Sequence, residues 1–164
     1  MGLRKRSGGR TNDPGRVCCF CGHRNVSPNI YPALQEAVER HVAEFGVMQF
    51  LVGGYGDFDA LAARAVQETK ATVPGIRLTL VLAYLPEPGR TISTDDYDET
   101  LYPEGLALVP RRFAISRRNQ WMVDASDCLI AYVACGYGGA AQMLKRARAK
   151  QRRGELTIAN LAAP

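Results

Sequence analysis

From residue 17 onward, short apolar runs alternate with segments whose apolar residues recur at helical spacing, and this alternation leaves few folds open. Strand-like runs cover 17–21, 47–52, 76–82, 128–133 and 156–159. After the first of them, Ala33, Leu34, Ala37, Val38, His41, Val42 and Phe45 recur every three or four residues behind Pro32. Proline suits a helix start, where its missing N–H would have no partner. Further helices are expected over 59–71, 116–126 and 138–151. Residues 86–110 read as a long polar connection holding Pro86, Pro88, Pro103 and Pro110 and an acidic stretch, Asp95, Asp96, Asp98 and Glu99. Strands alternating with helices predict an α/β, doubly wound, mainly parallel sheet of about five strands with helices on both faces. One such domain over 17–160 would follow a basic tail over 1–16, rich in Gly, Ser, Asn and Pro and expected to be flexible.

Parallel sheets of this kind bind ligands beyond the carboxyl ends of their strands, where strand order reverses. Three of the expected strand ends carry loop chemistry. The first is Cys21-Gly22-His23-Arg24. The second is Val52-Gly53-Gly54-Tyr55-Gly56-Asp57-Phe58-Asp59, and the third is Cys135-Gly136-Tyr137-Gly138-Gly139. Gly53, Gly54 and Gly56 would let the backbone approach a ligand and aim free N–H groups at an anion such as a phosphate. The loop is not a P-loop, because no Gly-Lys-Ser/Thr follows, and its G-G-x-G spacing is too tight for the dinucleotide fingerprint. Asp57 or Asp59 would either hydrogen-bond a ribose hydroxyl or cap the following helix. Arg117 and Arg118 come early in the third helix, with a side chain suited to bidentate phosphate contact, and Asn119 can fix a loop carbonyl or a base edge. His23 sits at the mouth of the expected cleft, where a structural hydrogen bond and a ligand contact are equally open readings.

Other classes are bounded by composition. No apolar run reaches the ~20 residues that cross a bilayer, so no membrane partner is expected. The basic N-terminus has no apolar segment of a secretory signal, and Ser7 falls one place late for a myristoylation site. Five cysteines, four of them in or beside apolar runs, fit reduced, buried thiols and a cytoplasmic setting rather than a disulfide framework. Cys18-x-x-Cys21 with His23 lacks a fourth ligand, and consecutive strand residues point to opposite faces, so no metal is expected. No catalytic triad can be built on His23 and His41 alone. The net charge of +5 is concentrated in the tail and in Lys145, Arg146, Arg148, Lys150, Arg152 and Arg153. Those segments are solubility features or a surface for nucleic acid.

Four motifs in order carry a family resemblance. Phe20-Cys21-Gly22-His23-Arg24 resembles the F-x-G-H-R motif of small YpsA-like proteins. The 53–63 segment is similar to the G-x-x-x-G-x-D…A pattern of the DprA/Smf DNA-processing proteins, and Phe113-Ala114-Ile115-Ser116-Arg117-Arg118-Asn119 resembles their F-x-x-R-N segment. Arg118, Met122, Asp127 and Gly136-Tyr137-Gly138 follow the order of the LOG (lysine decarboxylase-like) nucleotide phosphoribohydrolases. Together these are the SLOG superfamily of Rossmann-like domains, and the resemblance spans about residues 17–150.

The resemblance implies a Rossmann-like cleft for a nucleotide or nucleotide-derived ligand. Gly53, Gly54 and Gly56 would cradle it, Arg118 would be its charged partner, and Gly136, Gly138 and Gly139 would form the opposite wall. It also implies a homodimer. One departure bears on chemistry: where the phosphoribohydrolases carry a glutamate, this chain has Gln142, which cannot act as a general base near neutral pH. Binding without turnover, for sensing or sequestration and with no cofactor, is therefore the leading expectation. Two alternatives remain open. One is an N-glycosidase drawing its acid from Asp57 or Glu99, and the other is a DprA-like single-strand nucleic-acid binder using Arg117, Arg118 and residues 145–153.

Overall fold

The computed structural model describes residues 15–89 and 95–162. The tail expected over 1–16 lies outside the described residues up to position 14, and Arg16 already belongs to the first strand. The six strands are β1 (Arg16–Gly22), β2 (Val47–Val52), β3 (Arg77–Val81), β4 (Glu99–Leu101), β5 (Cys128–Tyr132) and β6 (Thr157–Asn160). The four helices are α1 (Tyr31–Phe45), α2 (Gly56–Lys70), α3 (Ala114–Asp124) and α4 (Gly139–Arg152). All strand pairs are parallel, in the order β4-β3-β2-β1-β5-β6. The chain winds outward from β1 to β4, then returns to the other side of β1 for β5 and β6. The reversal of strand order therefore falls at β1.

The doubly wound α/β architecture agrees with the sequence, with six strands instead of about five. The extra strand is β4, inside the stretch expected to be loop. The acids at its start are partnered: Asp98 accepts from the Leu78 N–H at 2.7 Å and pairs with Lys70, and Glu99 accepts from Thr79 Oγ1 at 2.8 Å and lies 3.6 Å from Arg77. A three-residue edge strand leaves one side free, so charged side chains are tolerated there. These ties hold residues 98–101 against β3, and none of the described residues of the 86–110 connection lines the cleft described below.

Alternation along β1 divides the core. Cys18 and Phe20 face α1 and α2, whereas Cys19 and Cys21 face α3 and α4. On the first face Phe20 stacks on Phe50 at 5.7 Å between ring centres, and Phe58 of α2 meets Phe20 edge-on at 6.3 Å. On the second, Met122, Val123, Met143 and Leu144 pack on Leu51 and Leu129. All five thiols are free, and four are buried. Burial raises the Cys19 pKa to about 12, which keeps this thiol protonated and unreactive.

Polar side chains tie the layers at their ends. Asp127 Oδ2 accepts from the Val17 N–H at 2.9 Å, fixing the start of β5 beside β1. Lys150 Nζ donates to the carbonyls of Val123, Asp124 and Ser126, closing the C-terminus of α3 from α4. Arg146 grips Asp124 through two bonds of 3.0 and 2.7 Å, and Arg153 pairs with Glu155. Half of the basic run at 145–153 is thus engaged within the fold, leaving Lys145, Arg148 and Arg152 exposed without a partner among the described residues.

Gly22 closes β1 against this core. A Cβ there would sit 2.2 Å from Phe58 Cγ, closer than any real contact. Expected for a ligand, this glycine is required first by the packing of α2. Gly22→Ala is expected to cost about 1–3 kcal/mol, as overpacking a core does. Urea unfolding should show a lower midpoint at unchanged slope.

Candidate functional site

The carboxyl ends of β1 and β2 and the facing turns of α3 and α4 enclose a cleft of about 300 Å³. Its position at β1 is where the winding reverses, as expected for a doubly wound sheet. Gly22, His23, Arg24, Gly53, Asp59, Arg118, Asn119, Gly138 and Gly139, all expected from sequence, line it. Gly54, Gly56, Asp57, Arg117 and Gly136 do not.

The excluded residues have structural reasons for their types. Gly54 and Gly56 have φ of 77° and 88°, and a Cβ on Gly56 would lie 2.7 Å from Arg24 Cα. The Asp57 amide donates to the Arg24 carbonyl at 2.7 Å, so the first and second strand-end loops touch through their backbones. The Asp57 carboxylate turns to the Val26 N–H at 3.4 Å. Arg117 points to solvent and Gly136 lies exposed in its loop. Of the two acids considered for glycosidic chemistry, Asp57 and Glu99, neither lines the cleft, and Gln142 is exposed outside it.

Arg118 is 2% exposed and holds the cleft together. Its Nη1 donates to the carbonyls of Gly53 and Val81, each at 2.9 Å, and its Nε donates to Asn119 Oδ1 at 3.0 Å. The guanidinium thus joins α3 to the ends of β2 and β3, and lies so near Gly53 that a Cβ there would be 2.8 Å from Cζ. The Tyr55 ring is 5.5 Å away. Desolvation pulls the Arg118 pKa down, opposed by the Asp59 charge. In the side chain expected to contact a phosphate, Nη1 is engaged by two backbone carbonyls and Nε by Asn119. Of the cations lining the cleft, the one whose side chain has no partner among the described residues is Arg24, which is exposed.

His23 is fixed as well. Its Nε2 accepts from the Ala134 N–H at 2.8 Å, an arrangement that places the ring proton on Nδ1. Cys135 Sγ lies 3.8 Å from the same nitrogen. No group of three or more acidic, His or Cys side chains able to hold a metal occurs among the described residues.

Two helix N-termini approach the cleft and differ in charge. The first turn of α2 contains Asp57 and Asp59, and Asp59 Oδ2 accepts from the Tyr55 N–H at 3.2 Å. Its positive pole is already answered by the chain's own acids. The first turn of α4 has no acid, and its N-cap is Gly138, with φ 92° and no side chain to offer. The Gln142 N–H makes the first bond of this helix, to Gly138 O at 3.1 Å, so the amides of 139–141 precede the ladder. The helix N-terminus at the cleft that carries no acid of its own is therefore the one at Gly138–Gly139.

Residues not singled out as ligand contacts complete the lining. Ile115, Met122, Ala140 and Met143 make an apolar wall between α3 and α4, and Phe20 and Cys21 reach it from β1. Tyr55, 43% exposed, stands at the rim. An aromatic between glycines was the available signal for Tyr55; Met143 shows itself only as one turn beyond Gly139 on the same helix.

Asp59 is half-buried and its pKa is pushed up to about 6 by desolvation, against the Tyr55 and Gly54 amides and Arg118, which favour the charge. The folded protein holds this proton up to about pH 6, while an unfolded chain releases it near the ordinary 3.8. Ionisation at neutral pH therefore opposes folding, a penalty absent below about pH 4 and complete above about pH 6. Asp59→Asn is expected to raise stability by on the order of 1–2 kcal/mol at pH 7.5, with the gain vanishing by about pH 4. Urea unfolding at the two pH values reads it, and an equal effect at both would remove the desolvation argument.

Comparison with solved structures places the fold. DNA processing protein A from Helicobacter pylori, a structure concerned with its single-stranded DNA binding mode, superposes with a TM-score of 0.55 at 15% identity over 87% of this chain. The present chain spans 64% of that protein's chain. The molybdenum cofactor carrier protein of Chlamydomonas reinhardtii superposes with a TM-score of 0.54 at 16% identity, covering 90% of this chain and 91% of its own. No protein-family model and no curated protein sequence matches the chain. Both similarities support a Rossmann-type α/β fold.

Proposed function

We propose that the cleft binds a nucleotide or nucleotide-derived ligand and holds it without turnover, for sensing or sequestration. The observation that carries this reading is the meeting, around the end of β1, of an acid-free, uncapped helix N-terminus with an unpaired cation and an apolar wall. Gly138, Gly139 and Ala140 face the cleft with amides suited to a phosphate. Arg24 supplies the countercharge, and Ile115, Met122 and Met143 offer a surface for a base. A volume of about 300 Å³ lies at the small end of ligand sites, which suits a mononucleotide-sized ligand.

The absence of turnover rests on acids. Glycosidic cleavage ordinarily uses two carboxylates, and among the described residues Asp59 is the one acid lining the cleft. A cytoplasmic setting, a homodimer and kinship with YpsA-like proteins belong to the same reading. The Chlamydomonas protein carries a molybdenum cofactor by its description, which fits carriage more than chemistry.

The test is a Gly139→Asp variant. Position 139 is exposed, a Cβ meets nothing within 4 Å, and an acid at a helix start stabilises the helix. Folding stability should hold or rise slightly. Affinity for whichever phosphorylated ligand shifts the wild-type melting temperature, from a panel of nucleoside phosphates, NAD and ADP-ribose, should fall at least tenfold. A wild-type protein unmoved by the whole panel would sink the proposal.

A second reading has one specific support. Lys145, Arg148 and Arg152 are exposed and unpaired among the described residues, and the H. pylori protein of similar fold binds single-stranded DNA by its description. Phosphate tracking along these cations predicts gel shifts with oligonucleotides whose affinity falls steeply with salt. No shift at low salt removes it.

A further inference from the structure

Among the described residues Asp59 is the sole side-chain anion on the cleft lining, and the fold leaves part of its acceptor capacity unused. An ionised carboxylate offers about four acceptor sites. The protein supplies the Tyr55 amide at 3.2 Å, and the Gly54 amide also favours the charged form. Arg118 acts on it by charge alone, because the hydrogen bonds of that guanidinium go to Gly53, Val81 and Asn119. At least two acceptor positions therefore await donors that a ligand must bring.

The surroundings narrow those donors. Resting on the nucleotide reading above, the phosphate belongs at Gly138–Gly139 and the base against Ile115, Met122 and Met143. Sheet order puts α2, which follows β2, on the other side of the β1 end from the loop that follows β5. The part of a nucleotide left for Asp59 is the sugar. Two adjacent hydroxyls present a pair of donors to a pair of carboxylate oxygens. We infer that Asp59 takes the vicinal hydroxyls of a ribose, so that the cleft selects ribonucleotides over 2′-deoxyribonucleotides. A deoxy sugar leaves one acceptor of a desolvated carboxylate without a partner, the kind of loss by which polar sites reject a ligand lacking a hydroxyl.

Isothermal titration of the full chain at pH 7.5 tests this with the four ribonucleoside monophosphates, their 2′-deoxy counterparts, ribose 5-phosphate and inorganic phosphate. The expected result is tenfold or greater preference for the ribo form of whichever base binds, narrowing to less than about threefold in Asp59→Asn. Equal affinity of a ribo and deoxy pair for the wild-type protein overturns the inference and leaves nucleotide binding standing. Binding of inorganic phosphate with no nucleotide also overturns it. Silence of every probe overturns the nucleotide reading itself. The wild-type comparison decides the matter even if the variant fails to fold.

Discussion

Arg118 carries a positive charge to a place where almost none of its surface meets water, and the ends of two strands are arranged around it. The carbonyls of Gly53 and Val81 would otherwise face the cleft as unpaired acceptors at the ends of β2 and β3. The guanidinium satisfies both and brings α3 with it. Removing the guanidinium would leave carbonyls desolvated and unpaired, at about 1–3 kcal/mol for each such group. Glycine at 53 follows from the same contact, since a side chain there would occupy the guanidinium's position. This one side chain ties the α3 wall of the cleft to the ends of β2 and β3.

With Arg118 Nη1 and Nε engaged by Gly53, Val81 and Asn119, two helix N-termini add to the electrostatics of the cleft. The α2 N-terminus carries its own acids, and Asp59 bends back to the Tyr55 amide. The α4 N-terminus has glycine in place of a cap and no acid in its first turn. One end of the cleft therefore attracts donors and the other attracts anions.

Much of the fold could be read from patterning, and the failures have particular causes. β2 matches its apolar run residue for residue, and the apolar positions of α1 sit where helical spacing put them. β4 escaped because Asp98 and Glu99 look like solvated loop; Lys70 and Arg77, which neutralise them, are 28 and 22 residues away. α2 begins at Gly56, three residues before the expected 59, because its first amide to find a partner bonds to Arg24 rather than to a side-chain cap. In the site, Arg117 and Arg118 were adjacent and chemically alike. A helix sends neighbours about 100° apart, so one is buried among carbonyls and the other is left in solvent.

The sequence by itself determined the layer architecture, the neighbourhood of the cleft and the glutamine at position 142. Those depend on apolar period, on glycine at strand ends and on residue identity, which are local. Only the tertiary structure decided which residues are tools of the cleft and which are tools of the fold. Gly22 answers to Phe58, Gly56 to Arg24, Arg118 to two carbonyls and Lys150 to the end of α3, all across distances the chain does not advertise. A polar group's role depends on whether another part of the molecule has already satisfied it, and that becomes visible only when both parts are in place.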